Sequence, residues 1–429
     1  MALTSLRALR PLLASVPLRR VCRVRVPPPC RAASSSPPAS LEAHWTPWAR
    51  KDRLDERSEV GYSRLCSSSP PDEVVFQERS DCGNGTVAVV RHGPWLALRF
   101  DISEQGLSYV GRPDDDDYAN GAALPQVLGF DYLRVMAASA AAFTALNGCD
   151  LSVPPRDAAQ PPPLVLCVGL GAGALPAFLA HGFGAAARVQ VAELDPLIVR
   201  VVRDVLRVRF ALADSPEALL EQQTQPSGAA AGPDAAPFTV AQADGLALVA
   251  SLAEEVAAGR RRGASLLVLD AYEQNGRIPQ HLREPAFLEA AAACLAPEGV
   301  IVANLFNGPP NSSPRKEMAL YARMLAGATG GPVFSVKVQT QQTNVVLVAA
   351  RPDSALGRDG VSGRDVAVAA ARRVARNCAG GPWEFDAGSH VERMFALKIR
   401  PGGVVETVPG RIIDFPKESS AADFTYATE

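Results

Sequence analysis

The sequence predicts an α/β protein: a Rossmann-like, doubly wound sheet preceded by a small antiparallel β-domain. Three observations carry this expectation. Residues 164–196 read as a strand, a glycine turn, a helix and a second strand in direct succession. From there to residue 350, apolar runs of strand length alternate with stretches of helical spacing. Ahead of that unit, residues 87–90 and 95–100 are strand-like runs parted by Arg91-His92-Gly93-Pro94, the composition of a hairpin turn.

The chain of 429 residues opens with a segment, 1–41, that contains no Asp or Glu. It carries Arg7, Arg10, Arg19, Arg20, Arg23, Arg25 and Arg31 ahead of a serine run at 34–36. This is the composition of an organelle transit peptide, with the chloroplast placed ahead of the mitochondrion; a disordered basic tail is the alternative. Residues 42–71, with Trp45, Trp48 and a Ser-Pro cluster, read as a linker with room for a short helix. The β-domain and a gating helix take up 72–150, with an acidic run at 114–117 and helical periodicity over 124–146 through Phe130, Tyr132, Leu133 and Met136. The acidic run is a solvated loop tip or a cation-attracting rim of a pocket.

The nucleotide unit follows within 151–351. Its first strand, 164–168, is wholly apolar, as a strand covered on both faces is. Gly169, Gly171 and Gly173 would let a ligand reach the backbone where side chains would collide; close helix–strand packing is their other use. The second strand, 188–192, ends in the acidic pair Glu193 and Asp195. They stand about 20 residues after the glycines, the spacing at which a carboxylate accepts ribose hydroxyls. A helix is expected over 197–208 and a low-complexity insertion over 222–237. A strand at 238–241 delivers Asp244-Gly245, with a helix over 251–262 beyond it. A strand at 265–269 ends at Asp270, and a helix over 287–295, a strand over 300–305 and a helix over 318–325 come next. An antiparallel pair, 333–338 and 344–350, completes the sheet. Asp244 alone also reads as a helix N-cap, and Asp270 as a loop acid. Residues 352–429 form an extension without a functional reading, containing a helix over 365–377 and a hairpin about 401–403.

Composition narrows the partners. The net charge is -2, with no basic run in the body of the chain longer than Arg260-Arg261-Arg262, which argues against nucleic acid as an obligatory partner. No apolar segment reads as a membrane span; the Ala-rich 136–146 is too short and reads as a packed helix. None of the eight cysteines forms a C-x-x-C pair or a His/Cys cluster of ligand spacing, so no metal is expected. Cys167 and Cys294 fall inside apolar patterns, as core residues do.

Four strand ends thus carry the chemistry: the glycine turn, Glu193, Asp244 and Asp270. A nucleoside with its ribose at Glu193 places its base near Asp244 and leaves Asp270, with Tyr272 or Glu273, beside the reacting end. In these residues the chain resembles a family. VGLGAGAL, VAELDP, ADGLAL and LLVLDAYEQNGRIPQHLREPAFLEAAAACLAPEGVIVANLFN, with LALRFDISEQ upstream, are together similar to the spermidine synthase fold and its methyltransferase-like relatives over residues 74–350. The resemblance implies a methyltransferase sheet and, as ligand, S-adenosylmethionine or its decarboxylated form. Gly169, Gly171 and Gly173 would lie beneath its sulfonium-bearing chain and Glu193 would bind ribose. Asp244 and Gly245 would hold adenine, Gln105 would close over from the β-domain, and Asp270 would face the acceptor.

The chain also departs from that pattern. Where aminopropyltransferases carry Asp-x-x-Asp-Pro after the fourth strand, it has Asp270-Ala-Tyr-Glu273-Gln. Its Asp116-Asp117-Tyr118-Ala119-Asn120 is only faintly similar to their acidic-aromatic gate. The leading expectation is therefore an S-adenosylmethionine-dependent methyltransferase of open acceptor, small molecule or protein. The alternatives are a polyamine-forming aminopropyltransferase and a catalytically silent nucleoside-binding assembly or regulatory protein. Asp270 is assigned the task of orienting an amine and taking its proton, with Glu273 or Tyr272 assisting. Similar proteins often pair through the β-domain, which leaves a homodimer open.

Overall fold

The computed structural model describes residues 56–414 apart from 69–72, 112–120, 158–159, 222–236, 309–311, 339–343, 360–363, 401–402 and 409–410. The segment 1–41, Trp45, Trp48, the acidic run with its gate-like neighbours 116–120, and the insertion 222–236 lie outside the described residues.

Helix α1 (Glu59–Ser68) is the short helix for which the 42–71 linker was expected to have room. It is fixed in place: Tyr62 is buried, its ring edge-on to Trp95 at 5.8 Å and its hydroxyl donating to Glu104 at 2.7 Å. The Glu59 carboxylate accepts the Asp131 N–H at 2.8 Å, and burial pushes its pKa up to about 7. With Tyr62 its one buried apolar residue, the helix has too little periodicity to stand out in the sequence.

Strands β1 (Glu73–Arg79), β2 (Thr86–His92), β3 (Trp95–Phe100) and β4 (Ser103–Tyr109) form an antiparallel meander in chain order. The expected hairpin is β2–β3, which closes with His92 opposite Trp95. Helix α2 (Asp131–Leu146) starts later than the periodicity from 124 suggested. Leu124, Val127, Leu128 and Phe130 are buried, but in a non-helical approach that includes Pro125 and Gly129. Gly129 lies so close to Leu107 and Trp95 that a Cβ would come within 2.8 Å of both. The spacing there recorded burial, not helix.

The large sheet then follows the expected alternation: β5 (Leu164–Val168), α3 (Ala174–Phe183), β6 (Arg188–Glu193), α4 (Pro196–Asp204), β7 (Ala211–Ala213), α5 (Pro216–Glu221), β8 (Thr239–Gln242), α6 (Gly245–Ala257), β9 (Ala264–Leu269), α7 (Pro285–Ala293), β10 (Leu295–Phe306), α8 (Ser313–Thr329), β11 (Val333–Lys337) and β12 (Asn344–Ala350). The C-terminal residues add α9 (Ala355–Asp359), α10 (Arg364–Asn377), α11 (Ala387–Val391), β13 (Met394–Arg400), β14 (Gly403–Val408) and β15 (Arg411–Asp414). Several helix bounds differ from expectation: α7 is shifted two residues earlier than 287–295, so that Leu295 already begins β10, and α8 extends beyond 318–325 at both ends. Helix α4 stops at Asp204 because Arg207 takes φ +56° and turns the chain away. Helix α6 begins at Gly245, capped by Asp244, and ends at Ala257 instead of spanning 251–262.

The sheet order is β15-β14-β13-β11-β12-β10-β9-β5-β6-β8-β7. Strands β5 to β10 run parallel, and β12 lies antiparallel between β10 and β11. This is a doubly wound, Rossmann-like sheet. Along β5, Val165 and Cys167 join a core with the small sheet, α2, α3, α4 and α10; Leu164, Leu166 and Val168 join another with α6, α7 and α8. Covering both faces is what makes the strand apolar throughout. Cys167 and Cys294 are core residues, and burial pushes the Cys294 thiol up to about 12. The C-terminal hairpin has Arg400 opposite Gly403, and its first strand pairs with β11. Among the described residues no helix is long and apolar enough to cross a membrane, and no group of His, Cys, Asp and Glu is placed to hold a metal.

Candidate functional site

In an open α/β sheet ligands bind outside the carboxyl ends of the strands, at the point where the strand order reverses. Here that point lies between β5 and β9, because the chain leaves β5 toward β6 on one side and later places β9 on the other. A cleft of about 440 Å³ opens there, between these strand ends and the edge of the small sheet. Gln105, Gly169, Gly171, Glu193, Asp195, Gly245, Asp270, Tyr272 and Glu273 line it. Gly173 and Asp244 do not.

The three glycines do different work. Gly169 (φ +96°) lies against the next loop, where a Cβ would stand 2.4 Å from the Asp270 carbonyl. Gly171 (φ +53°) has nothing nearer than the Gln105 carbonyl at 3.9 Å, so it presents bare backbone to the cleft. Gly173 caps α3, and a Cβ there would meet Val202 at 2.8 Å; it serves packing, not the ligand.

The acids separate in the same way. Glu193 accepts the Leu170 N–H through one oxygen and the Asp195 N–H through the other, both at 2.9 Å. Burial raises its pKa, and these two backbone bonds pull the other way. Each oxygen keeps a lone pair for the cleft. Asp195 is 1% exposed and fully engaged. Its Oδ1 caps α4 by accepting the Leu197 N–H at 2.8 Å, while Oδ2 accepts from the Ser80 hydroxyl and from Asn84 Nδ2 at 2.8 Å. It therefore ties the β1–β2 loop to α4 instead of offering oxygens to a ribose. Asp244 caps α6 through Oδ1, accepting from Leu246 and Ala247, and its Oδ2 stands 3.3 Å from His281 Nε2. Its neighbours Ala243, Gly245 and His281 face the cleft in its place. Gly245 is also a packing glycine, since a Cβ would lie 2.4 Å from Val168.

Asp270 sits at the centre of a polar network. Its N–H donates to the Val168 carbonyl at 3.1 Å, which fixes it beside the glycine turn. Its Oδ1 accepts from Asn304 Nδ2 at 2.9 Å, and the Tyr132 hydroxyl bonds the same carboxylate. Burial pushes its pKa up to about 6, against the opposing pull of those two bonds. Asn304 in turn accepts from Asn344 Nδ2 at 3.0 Å, and its carbonyl accepts the Tyr272 hydroxyl at 2.7 Å. Burial holds the phenols of Tyr132 and Tyr272 well above their ordinary range. Glu273 turns at the rim, accepting from Asn275 Nδ2 at 3.0 Å. Glu104, also in the cleft wall, is paired with Arg99 at 2.7 Å.

Sequence reasoning missed Tyr132, His281, Asn304 and Asn344 as site residues. Tyr132 was read as part of a helical stripe. Asn304 carried a signal, a polar residue near the end of an apolar strand run, now seen 2% exposed.

No family model matches the chain, and no curated protein matches it. Among solved structures it is similar to a probable spermidine synthase from Corynebacterium glutamicum, at 16% identity and TM-score 0.45 over 73% of this chain and 90% of that one. It is also similar to human methyltransferase-like protein 13 in complex with SAH, at 20% identity and TM-score 0.41 over 58% and 91%. A third likeness is to spermidine synthase from Thermotoga maritima, at 15% identity and TM-score 0.41 over 70% and 84%. At such identities these likenesses say nothing of the reaction.

Proposed function

We propose that this protein is an S-adenosylmethionine-dependent methyltransferase. The observation that carries the reading is the single cleft in which bare Gly171 backbone, the Glu193 carboxylate and the buried Asp270 carboxylate lie in series. Gly171 gives room for the donor's amino-acid chain, Glu193 has lone pairs for the ribose hydroxyls, and the 243–245 turn with His281 borders the base. S-adenosylmethionine bound there supplies a methyl carbon activated by its positive sulfur. The protein's part is alignment: Asn304 and Tyr132 hold the Asp270 carboxylate in one orientation. A carboxylate with a pKa near 6 is ionised at neutral pH yet basic enough to orient an acceptor's nucleophile and take its proton.

A second reading, aminopropyl transfer from the decarboxylated donor, is favoured by one observation: Asp270 and Glu273 both line the cleft. Against it, Glu193 is assigned to the donor's ribose, Glu104 is paired with Arg99 and Asp195 is taken by its cap, so the described wall leaves a diamine carboxylates at one end only. Calorimetry with S-adenosylmethionine and with its decarboxylated form decides between them. Tighter binding of the carboxylated donor supports methyl transfer, and the reverse supports polyamine formation. Binding of neither overturns both. We further propose import into an organelle, tested by the location of a fluorescent protein fused behind residues 1–41.

A further inference from the structure

Beside the donor cleft lies a larger cavity of about 740 Å³ that the reading above leaves unused. Phe100, Ser103, Tyr272, Gly276 and Phe306 line both spaces and so form a shared partition. The partition is low at its two small members. Gly276 has open space within 4 Å where a side chain would project, and Ser103 carries only a hydroxymethyl group. Beyond it the wall is largely apolar, with Ile102, Ile278, Leu305, Pro314, Met318 and Tyr321. Two of the lining apolar side chains are open to water: Ile102, at the turn between β3 and β4, is 94% exposed, and Phe306 is 41% exposed. A concave apolar wall with exposed apolar groups at its edge is the signature of a ligand site. The charged members balance, Asp101 and Glu317 against Arg277 and Arg283, so a polycation finds no net attraction.

We infer that this cavity is the acceptor site and that it takes an uncharged small molecule with an aromatic body, which presents its nucleophile past Ser103 and Gly276 to Asp270. The assignment as acceptor site rests on the donor reading of the adjoining cleft. The volume falls within the range of small-molecule pockets, roughly 300–1,000 Å³.

The test uses N-phenyl-1-naphthylamine, an uncharged aromatic reporter whose emission rises on leaving water, titrated into the full chain with and without saturating S-adenosylhomocysteine. The expected result is saturable binding that persists with S-adenosylhomocysteine present. Ile102→Asp, at an exposed position the fold does not depend on, and Ile278→Trp, which narrows the cavity, should each weaken it about tenfold. S-adenosylhomocysteine affinity, measured by calorimetry, should stay unchanged in both. The inference is overturned if no saturable binding occurs, if both variants bind the reporter as the wild type does, or if S-adenosylhomocysteine or spermidine displaces it. Should S-adenosylhomocysteine fail to bind while the reporter behaves as expected, the donor reading falls and the cavity's preference for an apolar body stands.

Discussion

Replacing Asp270 with Asn should make the protein more stable, and only at neutral pH. Burial moves this carboxyl from its ordinary 3.8 to about 6 in the folded protein. Between those two values the unfolded chain releases a proton that the folded protein keeps, so stability falls as pH rises through the interval. Above about pH 6 the cost is complete. A difference of about two pH units corresponds to about 3 kcal/mol at 1.36 kcal/mol per unit. Asn is nearly the same shape, and its carbonyl can still accept from Asn304 and Tyr132, so Asp270→Asn removes the charge without opening a cavity. Thermal melting of both proteins should show the variant several degrees higher at pH 7.5 and level with the wild type near pH 4. An equal shift at both pH values, or a variant that melts lower at pH 7.5, would refute the argument that a desolvated charge is being carried here.

The same charge should be visible in ligand choice. S-adenosylmethionine bears a positive sulfur and S-adenosylhomocysteine does not, so the wild type's preference for the former should fall as pH drops through about 6, where Asp270 protonates. Asp270→Asn should show no such dependence, and a pH-independent ratio in the wild type would remove Asp270 from the sulfonium's surroundings. Glu193→Gln should weaken S-adenosylhomocysteine by roughly tenfold in calorimetry, through loss of charge-assisted bonds to the ribose. Asp195→Ala should act chiefly on stability, lowering it by about 2–4 kcal/mol in denaturant titration, because a cap and two side-chain bonds go together. Of the glycines, Gly169→Ala should cost at least 2–3 kcal/mol, from both the positive φ and the 2.4 Å approach to the Asp270 carbonyl. Gly171→Ala should cost about 1 kcal/mol for its φ alone and yet impair donor binding. Equal melting losses in the two would contradict the open space beside Gly171.

The pattern of what could be read in advance is physical. Strands buried on both faces announce themselves as apolar runs, which is why β5, β9 and the β11–β12 pair stood out in the chain. Helix α1 was legible only as room for a short helix within 42–71, because its place depends on Tyr62 meeting Trp95 and Glu104, partners that only the fold brings near. The acids illustrate the other limit. A sequence places Glu193 and Asp195 two residues apart and alike, but it cannot say that Asn84 and Ser80 cross from another sheet to occupy one of them. Nor could spacing reveal that Tyr132 and Asn304, 172 positions apart, converge on one carboxylate.

The three C-terminal strands have a bearing on how copies of this chain meet. Without them the large sheet would end at β11, whose outer backbone groups would invite pairing with another molecule. With them it ends, among the described residues, in β15, four residues long, and at the other side in β7, three residues long. Neither offers much of a template for growth. Of the small sheet's two edges, β4 is covered, with Gly106 against Ala172 and the Ser108 hydroxyl donating to the Ala172 carbonyl, whereas β1, seven residues long, has no strand on its outer side among the described residues. Strand-to-strand association, functional or pathological, should therefore begin at β1, where Glu73, Glu78 and Arg79 set the electrostatic terms on which a second copy could align.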